Sequence, residues 1–201
     1  MKKTLNVKSM AIIAIMSAIA GVLMFVDIPL SFVAPAFYKM DISDLPCLIG
    51  SFSLGPIAGV IIEFLKILIK LLLKPTSSAF VGELSNFLCG VALVLPAGII
   101  YKKKHDKKGA LKALVAGSFA MVIFGTALNY FFIIPSYVVM YKMPLEAIIS
   151  MGQAIFPFIK DKFTFVLCCT LPFNLIKAAV VCVLTFVLYK RISHLINRTN
   201  S

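Results

Sequence analysis

The stretch from Phe163 to Tyr189 constrains this chain more than any other. It is apolar and long enough to cross a bilayer, and Lys177 is its only charged residue. An ammonium at the centre of a membrane helix costs roughly 2.5–3.5 kcal/mol on insertion scales. Residues kept at that cost face a bundle interior and mark a ligand or ion path. Asn174 lies three residues earlier, in Pro172-Phe173-Asn174-Leu175-Ile176-Lys177, and so shares a helix face with Lys177. The pair points to a polar site inside a membrane protein.

Apolar runs recur almost from end to end. Of the 201 residues, 61% are hydrophobic, against about 45–50% in a soluble globular chain. The fold class is therefore an all-α polytopic membrane protein, with residues 1–201 forming a single integral membrane domain. Twenty Lys plus Arg face eight Asp plus Glu, a net charge of +12. In this setting the excess reads as basic loops held in the cytoplasm, with no nucleic acid partner. The five cysteines sit in apolar segments without a Cys-x-x-Cys pair and read as small hydrophobes. His105 and His194 lie in polar stretches and the carboxylates are scattered, so neither a metal site nor an enzyme's catalytic set is evident. Met1-Lys2-Lys3 before an apolar run imitates a signal peptide. The run continues through Val26, beyond a signal core, and reads as a retained first helix.

The expected spans are Met10–Val26, a long run Cys47–Leu73, Phe80–Ile100, Ala113–Ile134 and Phe163–Tyr189. Cationic segments stay inside. Lys2, Lys3 and Lys8 put the N-terminus in the cytoplasm, and the cluster Lys102–Lys108 puts the loop at about 101–112 there too. An even number of crossings must separate them, so Cys47–Leu73 must supply two. Gly55-Pro56 is the natural break, because Pro suits the first turn of a helix. Pro56–Leu73 then spans about 27 Å, while Leu45–Leu54 reaches only about 15 Å and must be a short buried helix. The expected total is six crossings with both termini cytoplasmic, Lys190, Arg191 and Arg198 marking the tail. Outer loops fall at about 31–45, 74–79 and 135–162. The last carries Leu145, Ile148, Ile149, Gly152, Ile155, Phe156 and Ile159 at helical spacing, an amphipathic surface helix.

Polar groups of several spans fall at one depth, toward the outside. Glu83, Asn86 and Gly90 share a face, Asn129-Tyr130 lies near the outer end of another span, and Thr170, Asn174 and Lys177 share a face of the last. Two readings are open: a ligand site, or structural bonds between helices with Glu83 neutralising Lys177. Glu63, Lys66 and Lys70 also share a face, as a Glu–Lys structural pair or as an attractor for an anionic ligand group. The first span offers small-xxx-small patterns, Ala14 to Ala18 and Ser17 to Gly21, that permit close helix approach.

Taken in order, Lys39-x-Asp41-x-Ser43-Asp44-x-Pro46, Gly55-Pro56-x-x-Gly59, Gly82-Glu83-x-x-Asn86, Asn129-Tyr130 and Pro172-Phe173-Asn174-x-x-Lys177 form a pattern. With them the chain resembles, over nearly its whole length, the riboflavin-specific substrate-binding (S) component of energy-coupling factor (ECF) vitamin transporters. The resemblance implies six helices, both termini in the cytoplasm of a bacterial cell, and a riboflavin cavity near the outer face of the plasma membrane. Asn129, Asn174 and Lys177 match positions that hydrogen-bond the isoalloxazine ring. The segment around Asp41 and Ser43 resembles a first loop that closes over the ligand. Ala14 and Ala18 fit an Ala-x-x-x-Ala pattern that docks onto the membrane-embedded coupling subunit, which works with two cytoplasmic ATPase subunits.

The residue chemistry agrees with a flavin. Its ring edge alternates carbonyl acceptors with an N–H donor; an Asn amide offers both kinds of group and Lys only donors. With 17 Phe, 6 Tyr and no Trp, ring cover must come from Tyr, Phe, Leu or Met. Glu83 and Asn86 are candidates for the ribityl hydroxyls. No phosphate-binding Gly-x-x-x-x-Gly-Lys-Ser/Thr loop occurs, so energy from ATP must come through a partner. Riboflavin is thus the expected transported ligand, with no resident cofactor. FMN or another vitamin on the same scaffold is one alternative. A stand-alone secondary transporter is the other, though no internal repeat supports it.

Overall fold

The structure, a computed structural model, describes residues 7–76, 78–140 and 142–200, with side chains of the final helix described as far as Tyr189. Lys2 and Lys3 lie outside the described residues, as do the side chains of Lys190, Arg191, His194 and Arg198.

Helices α1 (Val7–Leu23), α2 (Asp44–Leu54), α3 (Pro56–Leu73), α4 (Val81–Lys103) and α5 (Lys107–Leu128) follow in order. A π-helical turn, Asn129–Ile133, joins α5 to α6 (Ile134–Met140) without a break. Then come α7 (Leu145–Gln153) and α8 (Lys162–Phe165), and a second π-turn, Val166–Thr170, leads into α9 (Leu171–Asn200). Among the described residues, three helical stretches are long and apolar enough to cross a membrane: Val81–Lys103, Lys107–Met140 and Lys162–Tyr189. The helix α1 is apolar but has 17 residues, and α3 has 18 residues with Glu63, Lys66 and Lys70 among them.

The break at Gly55-Pro56 is present. Gly55 has φ +103°, a conformation that side chains disfavour, and Pro56 opens α3 at its first turn. The helix α2 is 11 residues long, about 16 Å, and all but its last residue are buried. Its two ends explain its length. At its C-terminal end Phe52 stacks on Tyr101, ring centroids 4.3 Å apart, and the Tyr101 and Tyr189 hydroxyls lie 3.0 Å apart. That end therefore sits beside the Lys102–Lys108 cluster. At the other end Asp44 meets Lys177 in α9. Ahead of Asp44 its column has no further helical turns, the chain from 24 to 43 being non-helical.

The loop before α2 is tied into a cap. Strand β1 (Ile28–Pro29) pairs antiparallel with β2 (Lys39–Met40), and Lys39 bridges to Asp27 at 2.9 Å. Leu30, Val33, Ala34 and Tyr38 are buried with Ile134, Phe165, Val166 and Phe173 in a second apolar cluster, separate from the main core between the long helices. The helix α7 is shorter than the periodicity predicts. It stops at Gln153, ahead of Phe156-Pro157, and the Gln153 side chain donates to the Ile159 carbonyl at 2.8 Å. Its buried Ile148 and Gly152 face the bundle, Gly152 against Phe165. At the basic end Asp106 caps α5, and the bond from the Gly109 N–H holds its carboxyl below the usual carboxylate range.

Candidate ligand-binding site

Two adjoining cavities lie between the cap and the long helices. The inner one, about 110 Å³, has Lys39, Ser85, Asn86, Asn129, Asn174 and Lys177 in its polar lining. Tyr38, Tyr137, Phe37, Phe173 and Met121 supply its apolar and aromatic walls. The outer one, about 370 Å³, is bordered by Lys39, Lys70, Lys74, Asp41 and Glu83. Phe37, Lys39, Gly82, Asn86 and Tyr137 border both.

The first π-turn begins at Asn129, whose carbonyl accepts from Ile134 N–H, and the second ends at Thr170, one residue before Leu171 N–H closes on the Val166 carbonyl. Single π-turns in long helices are frequent at functional sites. Here they face each other across Tyr38. The Tyr38 hydroxyl donates to Asn129 Oδ1 at 3.0 Å and therefore accepts from the Thr170 hydroxyl at 2.7 Å. Asn129 Nδ2 donates to the Gly125 carbonyl at 2.8 Å. A carbonyl can only accept, so the amide's orientation is fixed. Gly125 also makes room for Asn174: a Cβ there would lie 3.0 Å from Asn174 Nδ2 and 3.1 Å from Cys89 Sγ.

Lys177 does not pair with Glu83. Its Nζ lies 3.3 Å from Asp44 Oδ2 and 3.5 Å from Asp41 Oδ2. Asp41 also accepts from Ser43 N–H at 2.9 Å, from the Ser43 hydroxyl, and from Asn86 Nδ2 at 3.1 Å. Behind Asp44, Lys66 bonds its Oδ1 and contacts Glu63 Oε2 at 2.7 Å. Glu83 instead pairs with Lys70 and accepts from Thr76 at 2.9 Å and Ser78 at 2.6 Å. The cause is depth: Glu83 sits in the first turn of α4, level with the end of α3. Glu83 therefore borders the outer cavity only, and Ser43 borders neither, its role being to orient Asp41.

Sequence reasoning missed Tyr38 and Asp44. Asp44 carried a signal: two intramembrane lysines, Lys66 and Lys177, need more carboxylate than Glu63 provides. Tyr38 carried none, since its depth depends on how the cap folds. On α1, Ala14 and Ala18 are exposed, while Ile13, Ser17, Ala20 and Gly21 are buried, Gly21 against Ile69 of α3. The two small-residue patterns thus point to different faces.

A family model described as the substrate-specific component of ECF transporters matches residues 8–189. The chain belongs to that family. This S component is 32% identical to the riboflavin transporter RibU of Staphylococcus aureus (strain TCH60), over 95% of its own length and 93% of the relative's. It is 29% identical to the riboflavin transporter FmnP of Bacillus subtilis (strain 168), over 98% of each chain. A solved structure of the S component of a bacterial ECF transporter superposes with a TM-score of 0.72 at 31% identity, covering 94% of this chain and 96% of that one. The S component is the substrate-binding subunit of its transporter and not an enzyme.

Proposed function

We propose that this S component captures riboflavin at the outer face of a bacterial plasma membrane and delivers it inward, chemically unchanged. The observation that carries the reading is the convergence of Asn129, Asn174 and Lys177 on one aromatic-walled cavity. Two amides and an ammonium suit an edge of alternating carbonyl and N–H groups, and Tyr and Phe suit the ring faces. The riboflavin transporters among its relatives support the same ligand. Asn86 and Asp41, at the junction with the outer cavity, suit the ribityl hydroxyls, and the cap bearing Tyr38, Asp41 and Ser43 covers the ligand. FMN is a second reading, favoured by Lys39, Lys70 and Lys74 around the outer cavity.

In this reading the whole chain is one membrane domain with six crossings. The α2 column counts as one of them, and the basic loop 102–108 and both termini lie in the cytoplasm. The exposed Ala14–Ala18 face docks on a membrane coupling subunit served by two cytoplasmic ATPases. Expression of the chain alone, purification in detergent and a search for co-purifying flavin by visible absorbance test the proposal. A folded, colourless protein that takes up no added riboflavin would sink it.

A further inference from the structure

Lys177 is gripped from below, and we propose that Asp44 is the positioning residue that fixes its ammonium at the floor of the inner cavity. The proposal rests on the reading that Lys177 meets the flavin ring. A lysine ends in three N–H donors on a flexible four-carbon stem, which by itself does not define a point in space. Two of those donors have partners, Asp41 at 3.5 Å and Asp44 at 3.3 Å, and the third is left for a ligand.

The two carboxylates are not equivalent. Asp41 borders the outer cavity and divides its oxygens among Ser43, Asn86 and Lys177. Asp44 borders neither cavity and is fully buried. Its Oδ1 is taken by Lys66, which Glu63 holds from the far side. Its Oδ2 lies 3.3 Å from the Lys177 ammonium and has no other partner among the described residues. Lys66 thus sets the plane of the Asp44 carboxylate, and that plane sets where Lys177 stands. Without Asp44, Lys177 is left to Asp41 alone and swings toward the outer cavity.

The substitution Asp44→Asn leaves each cation one carboxylate, Lys66 with Glu63 and Lys177 with Asp41, so the variant is expected to fold. A donor-only lysine reads a ring carbonyl, and replacing that oxygen with sulfur weakens the acceptor. Affinities are therefore measured for riboflavin and for its 2-thio and 4-thio analogues. Wild type should prefer riboflavin over the analogue altered at the carbonyl Lys177 reads. Asp44→Asn should bind riboflavin roughly tenfold more weakly and bring that preference toward one, and Asp44→Glu should recover part of it. A folded Asp44→Asn with wild-type affinity and preference overturns the proposal. So does an equal loss for all three ligands, the result of a purely structural role. Failure of both variants to fold makes Asp44 a scaffold residue and overturns it as well. A wild-type protein that binds no flavin, or binds all three alike, is seen before any variant is made; the first result overturns the riboflavin reading along with this one, the second this one alone.

Discussion

The Tyr38 hydroxyl donates to Asn129 Oδ1 across 3.0 Å, joining the cap to the helix that bears the inner cavity. Thr170, 2.7 Å from the same hydroxyl, adds the last long helix to the junction. Three segments distant in sequence thus meet on one phenolic oxygen. Tyr38→Phe keeps the ring against Phe173 and removes the hydroxyl's bonds to Asn129 and Thr170. Loss of two buried hydrogen bonds of about 1 kcal/mol each should speed flavin dissociation roughly thirtyfold. Stopped-flow fluorescence on the purified protein measures it; an unchanged off-rate would show that the tie does not hold the cap.

Gly125 is a second sensitive point. The missing Cβ leaves room for Asn174 Nδ2 and Cys89 Sγ, and Ala would press on both at 3.0 and 3.1 Å. Gly125→Ala should displace the Asn174 amide and lower flavin affinity by roughly tenfold, while costing about 1 kcal/mol of stability. Fluorescence-quenching titration alongside a thermal melt separates the two effects.

The ion cluster beneath the cavity holds the fold. Lys66 is fully buried between Asp44 and Glu63. Lys66→Met fills its volume but leaves buried Glu63 without its cation and Asp44 with Lys177 alone. Breaking a buried pair this way costs about 3–5 kcal/mol. The melting temperature in detergent should fall well below that of wild type, and a wild-type melt would contradict the assigned pairing.

The exposed face of α1 predicts the opposite split. Ala14 and Ala18 are exposed, so Ala14→Leu and Ala18→Leu should leave flavin affinity and melting temperature unchanged. Bulk on a small-residue face blocks close helix approach. Uptake in cells carrying the coupling module should drop severalfold, with less coupling subunit co-purifying. Normal uptake by the double variant would remove α1 from the docking surface.

The long elements were legible because hydrophobic runs and basic loops encode them directly. The pattern marks Pro56–Leu73 at both ends, and charge parity alone requires the Gly55-Pro56 break. Asn129, Asn174 and Lys177 were legible because polar groups in apolar helices stand out. The partner of Lys177 was not. Glu83 lay at a plausible depth on a neighbouring span, whereas Asp41 and Asp44 sat in a stretch assigned to a loop. Their inward turn depends on the β1–β2 pairing and on the start of α2, which no periodicity encodes. Tyr38 was hidden for the same reason, as one of six tyrosines with no local mark of its depth.

The two π-turns carry a further consequence. Each inserts one residue beyond the regular repeat, which rotates everything after it by about 100° about the helix axis. A stripe that faces lipid along α5 therefore does not continue as the lipid stripe of α6, and α8 is likewise out of phase with α9. Deleting one residue near Ile133 would restore an unbroken α-helix. It would also turn Ile134 out of the bundle and carry Tyr137 away from the cavity wall. A single-residue gap in this region, harmless in a loop, would here swing a cavity-facing side about 100° round the helix.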